Sequence, residues 1–191
     1  PNEPRVELSI VDKIVMIIEI ATTMKDLHFY GEYHGDLSSQ KIFINASKDA
    51  YIGSIYHNRD YEYQLQPCVK GSYFGRAPEV HEKMENIGLN AEFSFEEQKL
   101  NDIFSFGVLM YEILTETLAE VLLFKLCYHS KMRMHVLKFH YFDALMNYDK
   151  NGVFQKDSMC EMKSIIEKCM KNDINERYQS FNKIINDIRD S

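Results

Sequence analysis

The sequence predicts a mainly α domain: a helical bundle around one central buried helix, with a small β-hairpin at its side. Three observations predict it. Apolar residues recur at helical spacing from Leu8 to Leu27, the stretch from Asp102 to Leu114 is apolar nearly all round, and two short β-like runs flank a polar turn. The first is the pattern of a helix with one face on a core, and the second that of a helix at a domain centre. The third is a local strand pair.

In chain order, the first helix carries the stripe Ile10, Val11, Ile14, Ile17, Ile18, Ala21, Met24 and Leu27, with Ser9 or Asp12 as its start signal. Ile42-Phe43-Ile44 and Ala50-Tyr51-Ile52 are the strands, joined through Ala46-Ser47-Lys48-Asp49. Residues 57–76 hold Gly, Pro, Asn and Asp without periodicity and read as a long loop, a length that is usually functional or disordered. The central helix follows, built on Ile103, Phe104, Phe106, Val108, Leu109, Met110, Ile113 and Leu114. Residues 116–148 are helix-prone and rich in aromatics, with no boundary that periodicity can set. A turn at Asp149-Lys150-Asn151-Gly152 leads to two amphipathic helices, Met159 to Met170 and Phe181 to Ile188.

Composition narrows the function classes. A chain of 191 residues with 45% hydrophobic residues makes one domain with its own core. A net charge of -7 without long basic runs argues against nucleic acid or an anionic membrane as the main partner. Pro1 in place of an initiator Met points to a piece of a longer chain. Cys68, Cys127, Cys160 and Cys169 form no CxxC pair and have no histidines at metal-ligand spacing, so they read as reduced, mostly buried thiols of a cytoplasmic protein. No signal peptide or membrane span is visible: the apolar run Val121-Leu122-Leu123-Phe124 is broken by Lys125, with Lys131, Arg133 and Lys138 beyond. Asn45-Ala46-Ser47 is a glycosylation sequon without meaning outside the secretory route. The calcium-loop likeness of Asp149 to Gly152 fails because the glycine comes too early and Cys160 stands at the final glutamate position. Phe139-His140-Tyr141-Phe142 reads as core rather than as a ligand box.

Several short segments, taken in order, carry a resemblance. His34-Gly35-Asp36-Leu37-Ser38-Ser39-Gln40-Lys41 resembles the catalytic loop H-R-D-L-x-x-x-N of protein kinases, and it follows a long helix ending in Leu27-His28. Ile52-Gly53-Ser54-Ile55-Tyr56 takes the place of the metal-binding D-F-G. Gly71-Ser72-Tyr73-Phe74-Gly75-Arg76-Ala77-Pro78-Glu79 resembles the end of an activation segment, closing in A-P-E. Asp102-Ile103-Phe104-Ser105-Phe106-Gly107-Val108 is similar to the D-x-W-S-F-G-V start of the family's central helix. Cys169 through Asp173, Arg177 and Phe181 resemble the C-x-x-x-D-P-x-x-R-P-S-F ending. The flavour is that of tyrosine-kinase-like serine/threonine kinases. The resemblance covers nearly the whole of residues 1–191 as a kinase C-lobe; with no Gly-rich loop and no V-A-I-K lysine, the N-lobe is expected to lie outside this sequence or to be absent.

The resemblance implies roles for particular residues. Glu79 and Arg177 match the ion pair that ties the activation segment to the last helices, and losing one partner of such a buried pair costs roughly 3–5 kcal/mol. Asp102 is expected to accept backbone N–H groups of the loop around His34 as an anionic cap, and His34 to pack as a buried aromatic. Asp36 keeps the general-base position.

The metal-binding residues, by contrast, are changed. In kinases the D-F-G aspartate and the catalytic-loop asparagine hold the metals that stabilise the transferring phosphate. Here those positions are Ser54 and Lys41. Serine is a poor Mg²⁺ ligand, and lysine offers only donors and a positive charge. The nearest acidic residues to Ser54, Asp49 and Asp60, lie on the wrong side of a turn. Ser38 replaces the phosphate-contacting lysine, Tyr56 the switch glycine, and Gly35 the arginine that reads activation-loop phosphate. Ser72, Tyr73, Tyr61 and Tyr63 are therefore solvated loop residues before they are switches.

ATP follows from the resemblance only through Lys41, whose ammonium could lie against nucleotide phosphates without Mg²⁺; a solvated or salt-bridged lysine is the simpler reading. The leading expectation is a catalytically impaired pseudokinase that binds protein partners through the lobe surface as a signalling scaffold or allosteric partner. A weakly active protein kinase and a decayed copy without selected function are the alternatives.

Overall fold

A computed structural model of the chain describes residues 7–53, 75–88, 91–119, 141–147, 149 and 151–191. The expected class holds: the described residues are mainly helical, with one two-stranded antiparallel sheet.

The first helix, α1 (Ile10–Phe29), opens with a capping box that uses both start signals read in the sequence. Ser9 is the N-cap and its Oγ accepts from the Asp12 N–H at 3.1 Å, while the Asp12 carboxylate accepts from the Ser9 N–H at 2.8 Å. Met16, Ile17, Ile20, Ala21 and Met24 form its buried face. Val11 and Val15, though apolar, lie on the exposed side.

Strands β1 (Ile42–Ile44) and β2 (Ala50–Ile52) pair with Phe43 opposite Tyr51. Ile42, Ala50 and Ile52 pack on the core, and Phe43 and Tyr51 lie on the outer face. The turn holds Lys48 in the left-handed region, with the Asn45 side chain accepting from the Asp49 N–H at 2.9 Å. Two contacts fasten the hairpin to α1: the Ala50 N–H donates to Glu19, and Lys48 pairs with Asp12 at 2.8 Å.

Helix α2 (Pro78–Ile87), which the sequence reading had not assigned, starts on Pro78, whose fixed φ and missing N–H suit a first turn. Gly88 stops it at φ 93°. The central helix α3 (Phe95–Thr115) starts seven residues before the expected Asp102, because Ser94 and Glu97 form a second capping box upstream of the apolar run. Every residue from Asn101 to Tyr111 is buried. Lys13 of α1 reaches its far end, donating to the Leu114 carbonyl at 3.3 Å and pairing with Glu116 at 2.7 Å, a cation where the helix dipole favours one.

Of residues 116–148, the described part contains the short helix α4 (Tyr141–Met146), with Phe142 half-buried against the core. Asp149 accepts from the N–H groups of Val153 and Phe154, so the carboxylate that opened the calcium-like pattern caps a 3-10 turn at Val153–Gln155. Helices α5 (Cys160–Cys169) and α6 (Phe181–Asp190) stand where amphipathic helices were expected. α5 packs on α3, and α6 on α1, closing the core around the central helix. Cys169 is buried and Cys160 exposed, both as free thiols; Cys68 and Cys127 lie outside the described residues. No helix among the described residues is long and apolar enough to cross a membrane.

Candidate functional site

The polar residues buried in α3 build the site. A buried polar group must find a partner, and α3 is surrounded by helices whose own backbone groups are already paired. Asn101, Asp102 and Ser105 therefore turn to loop backbone. The Asp102 carboxylate accepts from the N–H groups of His34 and Gly35, each at 2.8 Å. Asn101 Oδ1 accepts from the Ala77 N–H at 3.0 Å, and Ser105 Oγ donates to the Gly75 carbonyl at 2.8 Å. One helix thus positions the loop at 34–41 and the segment entering α2.

The loop is braced from within by His34, which is fully buried. Its Nδ1 accepts from the Asp36 N–H at 3.1 Å, so the ring hydrogen sits on Nε2 and is donated to the Gly53 carbonyl at 3.2 Å. His34 is more than an aromatic filler, since it links the loop to the end of β2. Gly35 lies at φ 76°, where a side chain is strained, and a Cβ there would also crowd the Tyr33 ring at 3.3 Å. The residue at the H-R-D arginine position is therefore matched to its backbone.

Asp36 and Lys41 come together. Lys41 Nζ stands 3.5 Å from Asp36 Oδ2, with the two side chains 22% and 21% exposed. Burial pushes the Asp36 carboxyl above the usual range, opposed by the charges of Lys41 and Arg76 in that order. A metal ligand at position 41 would present an oxygen; this one presents an ammonium engaged with a carboxylate. An ammonium has no lone pair to offer Mg²⁺. Ser54 lies outside the described residues, as do Tyr56, Tyr61, Tyr63, Ser72 and Tyr73. Among the described residues no cluster of His, Cys, Asp and Glu could hold a metal ion.

Away from this pair, Glu79 and Arg177 form the expected ion pair. Arg177 Nη1 lies 2.7 Å from Glu79 Oε1 and Nη2 3.2 Å from Oε2, a two-pronged contact. The guanidinium also donates to the carbonyls of Lys171 and Leu100 and lies over the Phe104 ring.

Two residues of the neighbourhood escaped the sequence reading. His28 donates from Nε2 to Asp102 at 3.0 Å and packs edge-on against Phe181, joining α1, α3 and α6 at one point. Its Nδ1 is buried, with no hydrogen-bond partner among the described residues. Its place one turn beyond Met24, on the buried face of α1, was the available signal. Arg76, whose charge acts on Asp36, carried no such signal in the sequence.

A mainly helical lobe whose central helix grips a loop of this form defines a protein-kinase-like domain. The family profile described as "Protein tyrosine and serine/threonine kinase" matches residues 2–188. The chain belongs to the protein tyrosine and serine/threonine kinase family. It is similar to a "Probable serine/threonine-protein kinase" of Dictyostelium discoideum, 30% identical over 112 residues, which cover 57% of this chain and 17% of that protein.

Proposed function

We propose that residues 1–191 form a kinase C-lobe that has lost phosphotransfer and works in the cytoplasm as a scaffold or allosteric partner for other proteins. What carries the reading is Lys41: a cation paired with Asp36, at the position that resembles the family's metal-ligating asparagine. Phosphoryl transfer depends on positioning and on metal charge at the phosphates, so a general base without that metal has little to act on. The contacts that frame it, Asp102 with the loop at His34 and Glu79 with Arg177, are in place. Protein partners, rather than nucleic acid, suit its acidic balance.

The test is γ-phosphate transfer by the full-length protein with Mg²⁺, beside Asp36→Asn as control. The expected result is no transfer above that of the control. Turnover abolished by Asp36→Asn would establish the second reading, a weakly active serine/threonine or tyrosine protein kinase, for which the retention of Asp36 in a braced loop speaks. Nucleotide held by Lys41 without metal is a narrower proposal; an ATP-induced rise in melting temperature that is independent of Mg²⁺ supports it, and no shift removes it.

A further inference from the structure

Lys41 is fixed before its side chain makes any contact. Its N–H donates to the Ser38 carbonyl at 2.9 Å and its carbonyl accepts from the Gly53 N–H at 2.8 Å, so the 3-10 turn at Ser39–Lys41 and the end of β2 set where the side chain starts. Asp36 is fixed from the other side, through its own N–H to His34. The carboxylate is thus largely withdrawn from water on a rigid loop, and its charge needs an answer nearby. Where the family places a metal ligand, this chain places the cation itself.

We propose that Lys41 is a built-in counter-ion that answers the charge of Asp36 in place of a metal, so that the loop keeps its shape without a divalent cation. The inference deepens the reading of a lobe without metal chemistry and rests on it. It also explains why Asp36 persists beside a lost metal site: the carboxylate is the partner of the lysine.

The pair is asymmetric, and this makes it testable. Burial disfavours the Asp36 charge, and Lys41 is the foremost charge opposing that effect, ahead of Arg76. Taking Lys41 away leaves a desolvated carboxylate with a weaker answer. Removing the Asp36 charge leaves an ammonium on a flexible stem that can turn toward water. Lys41→Met should therefore be harmful only while Asp36 is present.

The experiment is amide hydrogen exchange at neutral pH on the full chain as wild type, Lys41→Met, Asp36→Asn and the double variant. The probes are the Gly53 N–H, which is bonded to the Lys41 carbonyl, and the Asp36 N–H. Lys41→Met alone is expected to raise the opening constants about three- to tenfold, and less than about twofold on top of Asp36→Asn. Equal effects in both backgrounds overturn the proposal. If Lys41→Met does not fold, rescue of folding by Asp36→Asn supports the pair and absence of rescue overturns it. The two readings fail separately: equal effects remove the counter-ion with or without turnover, whereas coupled effects together with Asp36-dependent phosphotransfer retire the proposed function and leave the ion pair standing.

Discussion

Arg177 shows how much a single buried side chain holds. Its guanidinium meets Glu79 and the carbonyls of Lys171 and Leu100, so the start of α2, the approach to α6 and the first half of α3 meet on one residue. Glu79→Ala leaves that charge buried and unanswered. With Glu79 itself partly exposed, we expect a loss of about 3 kcal/mol, the lower end of what breaking such a pair costs, read as a shift in urea denaturation. Asp12 gives a pH-dependent counterpart. Lys48 and Ser9 hold its carboxyl down to about 2. A depressed folded value stabilises above the ordinary aspartate range and loses that effect as pH falls through the folded value. The stability difference between wild type and Asp12→Asn should therefore be full at neutral pH and shrink between about 4 and 2, measured by denaturation at stepped pH.

At the scale of elements, α3 is the organiser, and its closest approach is to α5. A Cβ built on Gly107 would lie 2.7 Å from Met170 Cγ and 2.8 Å from Cys169 Cβ, with the Ile166 carbonyl at 3.4 Å. Met170 can yield, but the Cys169 Cβ, fixed to the backbone of α5, and a backbone oxygen cannot do so cheaply. Gly107→Ala is expected to cost about 1–3 kcal/mol despite alanine's better helix propensity, visible as a lower melting temperature. The start of α3 is marked by residues outside its apolar run. Ser94-Phe95-Glu96-Glu97 is a capping box upstream of the all-apolar run, because packing strength and helix boundaries are written in different residues.

For the whole molecule, α6 closes the core through Phe181, Ile184, Ile185 and Ile188. Burying each such side chain is worth about 1.5–3 kcal/mol, so together they approach the roughly 5–15 kcal/mol that separates a folded domain from an unfolded one. A chain ending at Ser180 should show no cooperative unfolding transition by circular dichroism. The loss of phosphotransfer proposed above belongs to this scale as well: the core holds the loop at 34–41 through Asp102, and that loop sets Lys41 against Asp36.

The sequence by itself determined the class of fold, the order of most of its helices, the hairpin and the family, because apolar periodicity and short ordered motifs are local properties of the chain. It also placed the Glu79–Arg177 pair and the Asp102 cap, since the motifs that carry them are specific. Only the tertiary structure decided that His28 shares Asp102 with the loop, that Asn101 and Ser105 hold the segment before α2, and that Lys41 turns to Asp36. Those are contacts between side chains far apart in sequence or free to rotate. Which partner a buried polar group or a charge takes is set by the backbone groups that the folded chain leaves unsatisfied around it.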